Sequence, residues 1–386
     1  MRDPCHPKQG LSRRDLLCAG AGGGCVLALG GLLGSSSRSA GAQTAKKGWV
    51  RTRRSPWFSR LEEGHVRCEL CPRHCRVAPG RRGVCRVREN RNGALYSLVY
   101  GNPSMVQVDP VERKPFFHVH PGSRTLSVST AGCNMSCKFC EVWDMALVGP
   151  EDVHAHDLPP EAVVAHARAS GARSISYTFG EPVVFYEYMD AVASLARKAG
   201  LMNLVQTNGY IAPEPLGALC GKLDAANIDL KGFDPAFYRE VCGGELEPVM
   251  ETLKRLKAEG VHVEITRIVI PTLNDDPEEI RRMARWIARE LGPGVPVHFS
   301  RFYPLYKLAN LPATPVRTLN SARTIAREEG LQYVYITRAT GHEGQNTFCP
   351  GCGKTIIQRT GFVVEQNLVK AGRCGHCGNA VPGRWD

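Results

Sequence analysis

The sequence predicts an α/β fold, a full or partial (β/α) TIM-type barrel. Strand-like and helix-like segments alternate from about residue 124 over roughly 210 residues, which is typical of parallel strands joined by right-handed crossovers. Distinctive motifs also follow the ends of successive strands, where the active sites of such barrels lie. The 386 residues suffice for one large catalytic domain with small appendages.

Seven strand-like runs and six helix-like runs make up the alternating region. The predicted strands are 125–130, 174–179, 203–207, 225–230, 261–270, 297–302 and 333–337. The predicted helices are 161–170, 185–198, 213–222, 248–259, 278–290 and 318–329. Because a helix separates each strand from the next, the strands are expected to be parallel.

Polar motifs follow the predicted strands one by one. They are Cys133 after the first strand, Gly180-Glu181-Pro182 after the second, Thr207-Asn208-Gly209 at the end of the third, Asp229-Leu230-Lys231 at the end of the fourth, and the run from His298 on the sixth. Since the carboxyl ends of barrel strands share one face, the motifs are expected to form one site there.

A tight cysteine loop, C-x3-C-x2-C, follows the first strand and contains Cys133, Cys137 and Cys140, with Phe139 before the last cysteine. A cubane 4Fe–4S cluster usually takes four thiolates. Three thiolates therefore leave one iron open to bind and reduce a substrate. The alternative is a three-thiolate zinc site completed by a histidine, which the position after a strand disfavours.

Two C-x-x-C pairs near the C-terminus predict a second metal site. Its ligands are Cys349, Cys352, Cys374 and Cys377, with 21 residues between the pairs. This spacing is typical of a zinc ribbon or a rubredoxin-like iron site, and zinc is favoured because it is the common occupant of four-thiolate sites. Short apolar runs around Gly361 predict a hairpin that the metal closes.

A third cysteine group lies towards the N-terminus and contains Cys68, Cys71, Cys75 and Cys85. The spacing fits either zinc or an auxiliary iron–sulfur cluster, and His74 is a possible further ligand. A disulfide is less expected because Cys68 and Cys71 lie so close together in the chain. The remaining cysteines outside the first forty residues, 220 and 242, are expected to be ordinary semi-buried thiols.

The net charge of +12 is concentrated in arginines of the first hundred residues. A basic surface can bind nucleic acid or anionic lipid. No nucleic-acid motif accompanies the charge, so a solvated basic face is favoured and no nucleic-acid partner is expected. No apolar stretch beyond the N-terminus is long enough to span a bilayer.

Many segments in order resemble one family over about residues 57–385. They are VRCELCPRHC with RRGVCRVRE, LYSLVYGNPSMVQVDPVERKPFFHVHPG, the loop STAGCNMSCKFCEVW, YTFGEPVVFYEY, QTNGYIAPEPL, ANIDLKGF, CGGELEPVMETL, HFSRFYPLYKL and GHEGQNTFCPGCG. The chain resembles the radical S-adenosylmethionine (SAM) component of the AmmeMemoRadiSam system, a relative of the pyruvate formate-lyase activating enzymes.

The resemblance implies a radical SAM barrel that holds a 4Fe–4S cluster and uses SAM. In that superfamily the open iron chelates the amino and carboxylate groups of SAM, and one electron cleaves the sulfonium to a 5′-deoxyadenosyl radical. A one-electron reductant of flavodoxin or ferredoxin type is implied. Memo-like and AMMECR-like proteins are the partners that the system suggests.

The resemblance also implies roles for the strand-end residues. Cys133, Cys137 and Cys140 ligate the cluster, and Phe139 lies near the adenine of SAM. The SAM amino group is expected at Gly180, Glu181 and Pro182. The alternative for Glu181 is an ordinary residue of a strand-end turn.

Asp229 and Lys231 match a strand-end pair that contacts SAM in activating enzymes, and Lys231 would offset the carboxylate charge of SAM. The alternative is a surface ion pair of small value. Asn208 and His298 are weaker SAM candidates. His342 is either an acid/base group on the substrate side or a structural histidine beside the C-terminal site.

Residues 1–42 are predicted to be a twin-arginine-type signal. Arg13-Arg14 lies in the motif SRRDLL, a Gly-rich apolar segment follows, and Ala40-Gly41-Ala42 fits a cleavage site before Gln43. Export would carry a folded protein with its cluster. The alternative is a cytoplasmic protein, since SAM and low-potential reductant are cytoplasmic supplies.

The predicted organisation is therefore a signal segment at 1–42, a Cys-rich domain at 57–123, a radical SAM barrel at 124–340 and a zinc-ribbon-like module at 341–386. The favoured function is a radical SAM enzyme that abstracts hydrogen from an unidentified substrate. One alternative is an activase that installs a glycyl radical on a partner protein. The other is a non-catalytic iron–sulfur or zinc protein.

Overall fold

An eight-stranded sheet forms the centre of the protein in the computed structural model, which describes residues 45–385. The predicted signal segment lies outside these described residues. The strands, numbered within this sheet, are β1 (Met105–Pro110), β2 (Arg124–Ser129), β3 (Ser174–Tyr177), β4 (Met202–Thr207), β5 (Ala225–Asp229), β6 (His262–Val269), β7 (Val297–Arg301) and β8 (Val334–Thr337).

The spatial order of the sheet is β8-β7-β6-β5-β4-β3-β2-β1. Strands β2 to β8 are parallel to their neighbours, and β1 pairs antiparallel with β2 at one edge. The order runs from one edge to the other without closing, so the barrel is partial. The predicted α/β class is confirmed, and all seven predicted strands are present. The sequence prediction missed β1, which precedes the region of alternation.

Six helices of eight or more residues connect the parallel strands, which are also joined by shorter helical segments. They are α1 (Pro160–Ala169), α2 (Tyr186–Lys198), α3 (Pro213–Cys220), α4 (Leu246–Ala258), α5 (Pro277–Trp286) and α6 (Val316–Glu328). Proline stands at the first position of α1, α3 and α5, where its missing N–H costs no hydrogen bond. Within residues 45–385 no helix combines the length and the apolar character needed to cross a bilayer.

Each helix buries one face because its apolar residues recur at helical spacing. In α2, Met189, Val192, Ala193 and Ala196 are buried against the sheet. At the start of α5 the Asp276 side chain accepts a hydrogen bond from the Glu279 N–H at 2.8 Å, which satisfies one of the free donors of the first turn.

Two small antiparallel sheets precede the main sheet. One consists of Phe58–Arg60, Val66–Cys68 and Arg76–Val77, and the other of Arg53–Arg54, Arg88–Arg91 and Ala94–Ser97. Their buried residues Val66, Val87 and Leu95 belong to the same apolar core as the barrel strands. The N-terminal segment is thus packed against the barrel by a continuous core. A further two-stranded pair joins Lys46–Lys47 to His154–Ala155.

The C-terminal segment forms short antiparallel strands, Thr347–Phe348, Thr355–Thr360, Val363–Asn367, Val369–Lys370 and Arg373–Cys374. The predicted hairpin is present, with Gly361 at its turn in the left-handed region at φ 61°. Ile356 packs with Phe117, Tyr333 and Tyr335, so this segment covers the β8 edge. The boundaries of the three predicted domains stay a prediction.

Candidate functional site

The cysteine loop begins directly after β2, at a position that only glycine fits. Gly132 has a φ of 95°. A Cβ atom on it would lie 2.7 Å from a methyl carbon of Val87 and 2.8 Å from the carbonyl oxygen of Cys85. Any side chain would push the loop away from the N-terminal segment. The start of the loop is therefore held against the residues around Cys85.

The middle of the loop is held by the short helical segment Tyr238–Cys242, which lies between β5 and α4. The Ser136 N–H donates to the Cys242 carbonyl, and the Lys138 N–H donates to the Val241 carbonyl, both at 2.9 Å. Gly243 lies so close that a Cβ atom there would come 2.3 Å from the Ser136 hydroxyl oxygen. These contacts fix the backbone that carries Cys137.

The three loop thiols are largely sheltered from solvent. Burial raises the pKa of Cys133 well above its ordinary value and that of Cys140 to about 11. Hydrogen bonding with Cys242 holds the pKa of Cys137 below its ordinary value. Thiolates in such a place need a compensating cation. The three loop cysteines therefore fit an iron–sulfur cluster, whose iron ions would supply the compensating positive charge.

Sulfur spacing separates a cluster from a single ion. Zinc lies about 2.3 Å from each thiolate, so two sulfurs on one zinc ion lie at most about 4.6 Å apart. The three loop sulfurs do not all lie within 4.8 Å of one another. This spacing disfavours the three-thiolate zinc alternative and suits a larger metal group.

Asn208 and Glu181 join two strand ends to the loop. The Asn208 side-chain amide donates to Asn134 Oδ1 at 2.8 Å and lies 3.9 Å from the Cys133 sulfur. The Glu181 carboxylate accepts hydrogen bonds from the Thr207 hydroxyl at 2.5 Å, the Asn208 N–H at 2.9 Å and the Val183 N–H at 3.0 Å. Burial nevertheless raises the pKa of Glu181 to about 7. Glu181 thus holds Asn208 in place, and the side-chain amide of Asn208 contacts the cysteine loop.

Gly180 and Pro182 shape the same strand end. The Gly180 N–H donates to the Ser129 hydroxyl at 2.9 Å, and a Cβ atom at Gly180 would lie 3.0 Å from the Thr130 carbonyl oxygen. Pro182 starts the short helical turn Pro182–Phe185. The end of β3 is therefore packed closely on the end of β2, beside the cysteine loop.

Lys231 and Asp229 lie on the other side of the loop, at the end of β5. Lys231 Nζ is 3.0 Å from Asp229 Oδ2 and 5.8 Å from the centre of the Phe139 ring. Burial acts against the ammonium ion, but the charges of Asp229 and of the Cys137 thiolate hold the pKa of Lys231 well above its ordinary value. A permanent cation therefore lies next to the cluster loop.

The two predicted histidines lie elsewhere. His298 is fully buried on β7, with Nε2 2.6 Å from Glu264 Oε2 and its ring against Phe117. His342 Nδ1 accepts a hydrogen bond from the Gly344 N–H at 2.9 Å and closes a short helical turn after β8. Neither has a recorded contact with the cysteine loop, and their roles stay predictions.

A buried Lys114–Asp109 pair was missed by the sequence reasoning. Lys114 is 1% exposed, with Nζ 2.7 Å from Asp109 Oδ2 and 3.5 Å from the centre of the Phe179 ring. Burial lowers the pKa of Lys114 to about 8. Phe179 directly precedes Gly180, so this cation lies beside the strand-end site. Recognition of β1 in the sequence would have pointed to this pair, because Asp109 belongs to that strand.

The C-terminal cysteines form a compact four-sulfur site. All four sulfur atoms of Cys349, Cys352, Cys374 and Cys377 lie within 4.8 Å of one another, with Cys349–Cys377 at 3.6 Å and Cys352–Cys374 at 3.9 Å. Glycine follows the second cysteine of each pair, at φ 72° and 76°, and its N–H bonds back to the carbonyl of the first cysteine at 2.8 Å. The predicted cysteine cluster is confirmed, and its spacing suits one tetrahedral ion.

The N-terminal cysteines Cys68, Cys71, Cys75 and Cys85 line one cavity beside the cluster loop. Burial raises the pKa of Cys68 to about 12 and that of Cys71 to about 11. The side chain of His74 points to Glu69 instead, with Nδ1 2.9 Å from its carboxylate. All four thiols are free, so no disulfide forms within the group.

Comparison with known proteins finds a family match over the region that carries this site. A family model of the radical SAM superfamily matches residues 127–287, which include the cysteine loop and the ends of β3, β4 and β5. An uncharacterized protein of Methanocaldococcus jannaschii is 43% identical over 331 residues, which cover 85% of this chain and 98% of that protein.

Two relatives with stated activities are more distant. The GTP 3′,8-cyclase of Bradyrhizobium diazoefficiens is 27% identical over 276 residues, covering 62% of this chain and 76% of the cyclase. The pyruvate formate-lyase-activating enzyme of Clostridium pasteurianum is 27% identical over 172 residues, covering 43% of this chain and 70% of that enzyme. The chain is thus similar to proteins that carry out different reactions.

Proposed function

The chain belongs to the radical SAM superfamily, and we propose that it is an enzyme whose cysteine loop holds a 4Fe–4S cluster that binds SAM. The observation that carries the proposal is the three-cysteine loop at the strand ends, with a permanent cation beside it. When bound, the cluster supplies one electron that cleaves the sulfonium bond of SAM to a 5′-deoxyadenosyl radical. Members of the superfamily take this electron from a one-electron reductant.

The residues around the loop have separate roles in this proposal. Cys133, Cys137 and Cys140 are the iron ligands. The Lys231 ammonium group lies where it can offset the carboxylate of SAM, and Phe139 lies beside it as an apolar contact for the adenine. Asn208 positions the loop through Asn134, and Glu181 holds Asn208 in place.

The substrate is proposed to enter the open side of the partial barrel, where the radical abstracts a hydrogen atom. Lys114 is the candidate substrate-side cation, since its buried ammonium group contacts the ring of Phe179, which follows β3. From the quoted segments we infer membership of the AmmeMemoRadiSam system, with Memo-like and AMMECR-like partners and a flavodoxin or ferredoxin as reductant. The likeness to an activating enzyme keeps a glycyl-radical activase as the second candidate.

SAM cleavage tests the proposal directly. Anaerobically reconstituted protein with SAM and dithionite is expected to form 5′-deoxyadenosine, measured by liquid chromatography and mass spectrometry. Lys231→Met removes the cation at similar length. Loss of a charge-assisted contact costs about 1.5–3 kcal/mol, so the KM for SAM is expected to rise roughly 10- to 150-fold.

The control is Lys222→Met, which removes a half-exposed lysine that pairs with Asp190. Its KM and iron content are expected to match those of the unaltered protein. If protein with a full cluster forms no 5′-deoxyadenosine, the proposed function is wrong. If Lys231→Met leaves the KM unchanged, only its role in SAM binding is lost.

Export of the protein is proposed from its first 42 residues. A reporter fused to residues 1–45 is expected to cross the membrane only with an intact Arg13-Arg14 pair, because the twin-arginine route requires it. Reporter activity is measured in periplasmic and cytoplasmic fractions, with Arg38→Lys as the matched control. Equal export after Arg13→Lys and Arg14→Lys together would contradict the twin-arginine route.

A further inference from the structure

The N-terminal cysteine group surrounds a buried cavity that the proposed SAM chemistry does not use. Cys68 ends the strand Val66–Cys68, Cys71 and Cys75 lie in the turn after it, and Cys85 lies just before the strand Arg88–Arg91. All four line one cavity. Three of these thiols are buried and Cys75 is partly buried. Four converging thiols around an enclosed space form a ligand set for a metal group.

The spacing of the four sulfurs distinguishes between the possible groups. No three of them lie within 4.8 Å of one another. Since two thiolates on one zinc ion lie at most about 4.6 Å apart, a single zinc ion could not take three of them without movement. A cubane of four irons and four sulfides is larger, and each thiolate binds a different iron.

The C-terminal group provides an internal comparison. There four cysteine sulfurs lie close enough together to bind a single ion, all within 4.8 Å of one another. The sulfurs of the cysteine loop are spaced more widely than this, and so are those of the N-terminal group. The N-terminal group therefore shares the wider spacing of the loop expected to carry a cluster, and not that of the compact four-sulfur site.

Arg88 supplies an independent observation at the cavity wall. Its side chain is 2% exposed and makes two hydrogen bonds to the Glu187 carboxylate, at 2.6 and 2.9 Å. Among residues 45–385 the Nε–H has no partner although it is buried, and the guanidinium lies near Cys68 and Cys85. A buried donor without a partner is costly. A cluster sulfur in the cavity would accept this hydrogen bond, as is common for iron–sulfur sites.

The cavity adjoins the cysteine loop. Asn134, the residue after Cys133, lines the cavity and also accepts the hydrogen bond from Asn208 at the strand-end site. The carbonyl of Cys85 contacts the loop at Gly132. Asn134 thus joins the cavity wall to the loop that carries the other ligand group.

We propose that Cys68, Cys71, Cys75 and Cys85 bind a second 4Fe–4S cluster, next to the SAM-binding cluster. Four thiolates ligate all four irons, so this cluster has no open position for SAM or substrate. Its chemistry is then one-electron transfer between the 2+ and 1+ states of the cluster, with a low-potential external donor supplying the electron. The site goes beyond the proposed SAM cleavage.

Iron counting and electron paramagnetic resonance (EPR) test the second cluster. Protein reconstituted anaerobically with iron and sulfide is expected to hold about eight irons per chain, as two cubanes require. In the variant with Cys133, Cys137 and Cys140 all replaced by alanine, about four irons are expected to remain. The EPR signal of that variant after dithionite reduction is expected to be the same with and without SAM.

Adding Cys71→Ser and Cys75→Ser to that variant is expected to remove the remaining iron, while adding Cys220→Ser is expected to leave it. If the loop variant holds zinc and no iron, or no metal at all, while its circular dichroism matches the unaltered protein, the inference is overturned. An unaltered protein with about four irons per chain, all of which are lost in the loop variant, overturns it as well. These outcomes do not depend on SAM cleavage, so a failure of the proposed function is seen separately.

Discussion

Replacement of Cys133, Cys137 and Cys140 by alanine together is expected to abolish SAM cleavage completely. In the proposed function the loop supplies three thiolates to the cluster, and without them no open iron would exist to hold SAM. Formation of 5′-deoxyadenosine with dithionite should fall to the level measured without protein. The iron content should fall by about four per chain, since one cubane is lost.

The matched control is Cys220→Ala, which removes a buried thiol of α3 that belongs to none of the three cysteine groups. It should keep both the iron content and the activity. The loop backbone is fixed by hydrogen bonds to Val241 and Cys242, so the triple variant should fold. Continued formation of 5′-deoxyadenosine in the triple variant would contradict the assignment of the loop.

Replacement of Cys374 and Cys377 by serine is expected to remove the C-terminal metal and to destabilise the segment around it. Four thiolates would close the coordination of one ion, so the expected role of the metal is structural. Zinc contributes about 10–16 kcal/mol to the folding of small zinc peptides, and a large part of that stabilisation should be lost. Zinc content and the thermal unfolding midpoint measure the effect.

The loss should spread to the barrel edge, because the C-terminal segment packs on it. Arg359, in the hairpin, is fully buried and donates to the Phe117 carbonyl at 2.7 Å and the Thr347 hydroxyl at 2.9 Å. The control is His376→Ser, which changes the exposed side chain between the two cysteines and should retain zinc. Loss of 4Fe–4S absorption with zinc retained would show that the site carries iron.

The sequence predicted the parts of the fold that depend on local pattern. Strand and helix periodicity located all seven parallel strands, since buried strands and amphipathic helices differ in apolar spacing. Paired cysteines located the C-terminal site because its ligands lie on two tight turns. Strand β1 was missed because a single antiparallel edge strand has no partner helix to mark it.

The rest depended on contacts between residues far apart in the chain. The sequence predicted His298 as a weaker SAM candidate, but it could not predict that its ring contacts Glu264, 34 residues earlier. Lys114 was quoted only within a longer segment, because its partner Asp109 lies on the unpredicted β1. The sulfur spacing of the N-terminal cysteines likewise depends on how two small sheets meet, which spacing along the chain does not fix.

The most direct test of the central claim is electron–nuclear double resonance on the reduced, reconstituted protein with SAM labelled with ¹⁵N in its amino group and ¹⁷O in its carboxylate. If the open iron chelates SAM, both labels are expected to show hyperfine coupling to the cluster. The coupling should be absent in the variant without Cys133, Cys137 and Cys140. A fully reduced cluster whose spectrum shows no coupling to either label would contradict the account.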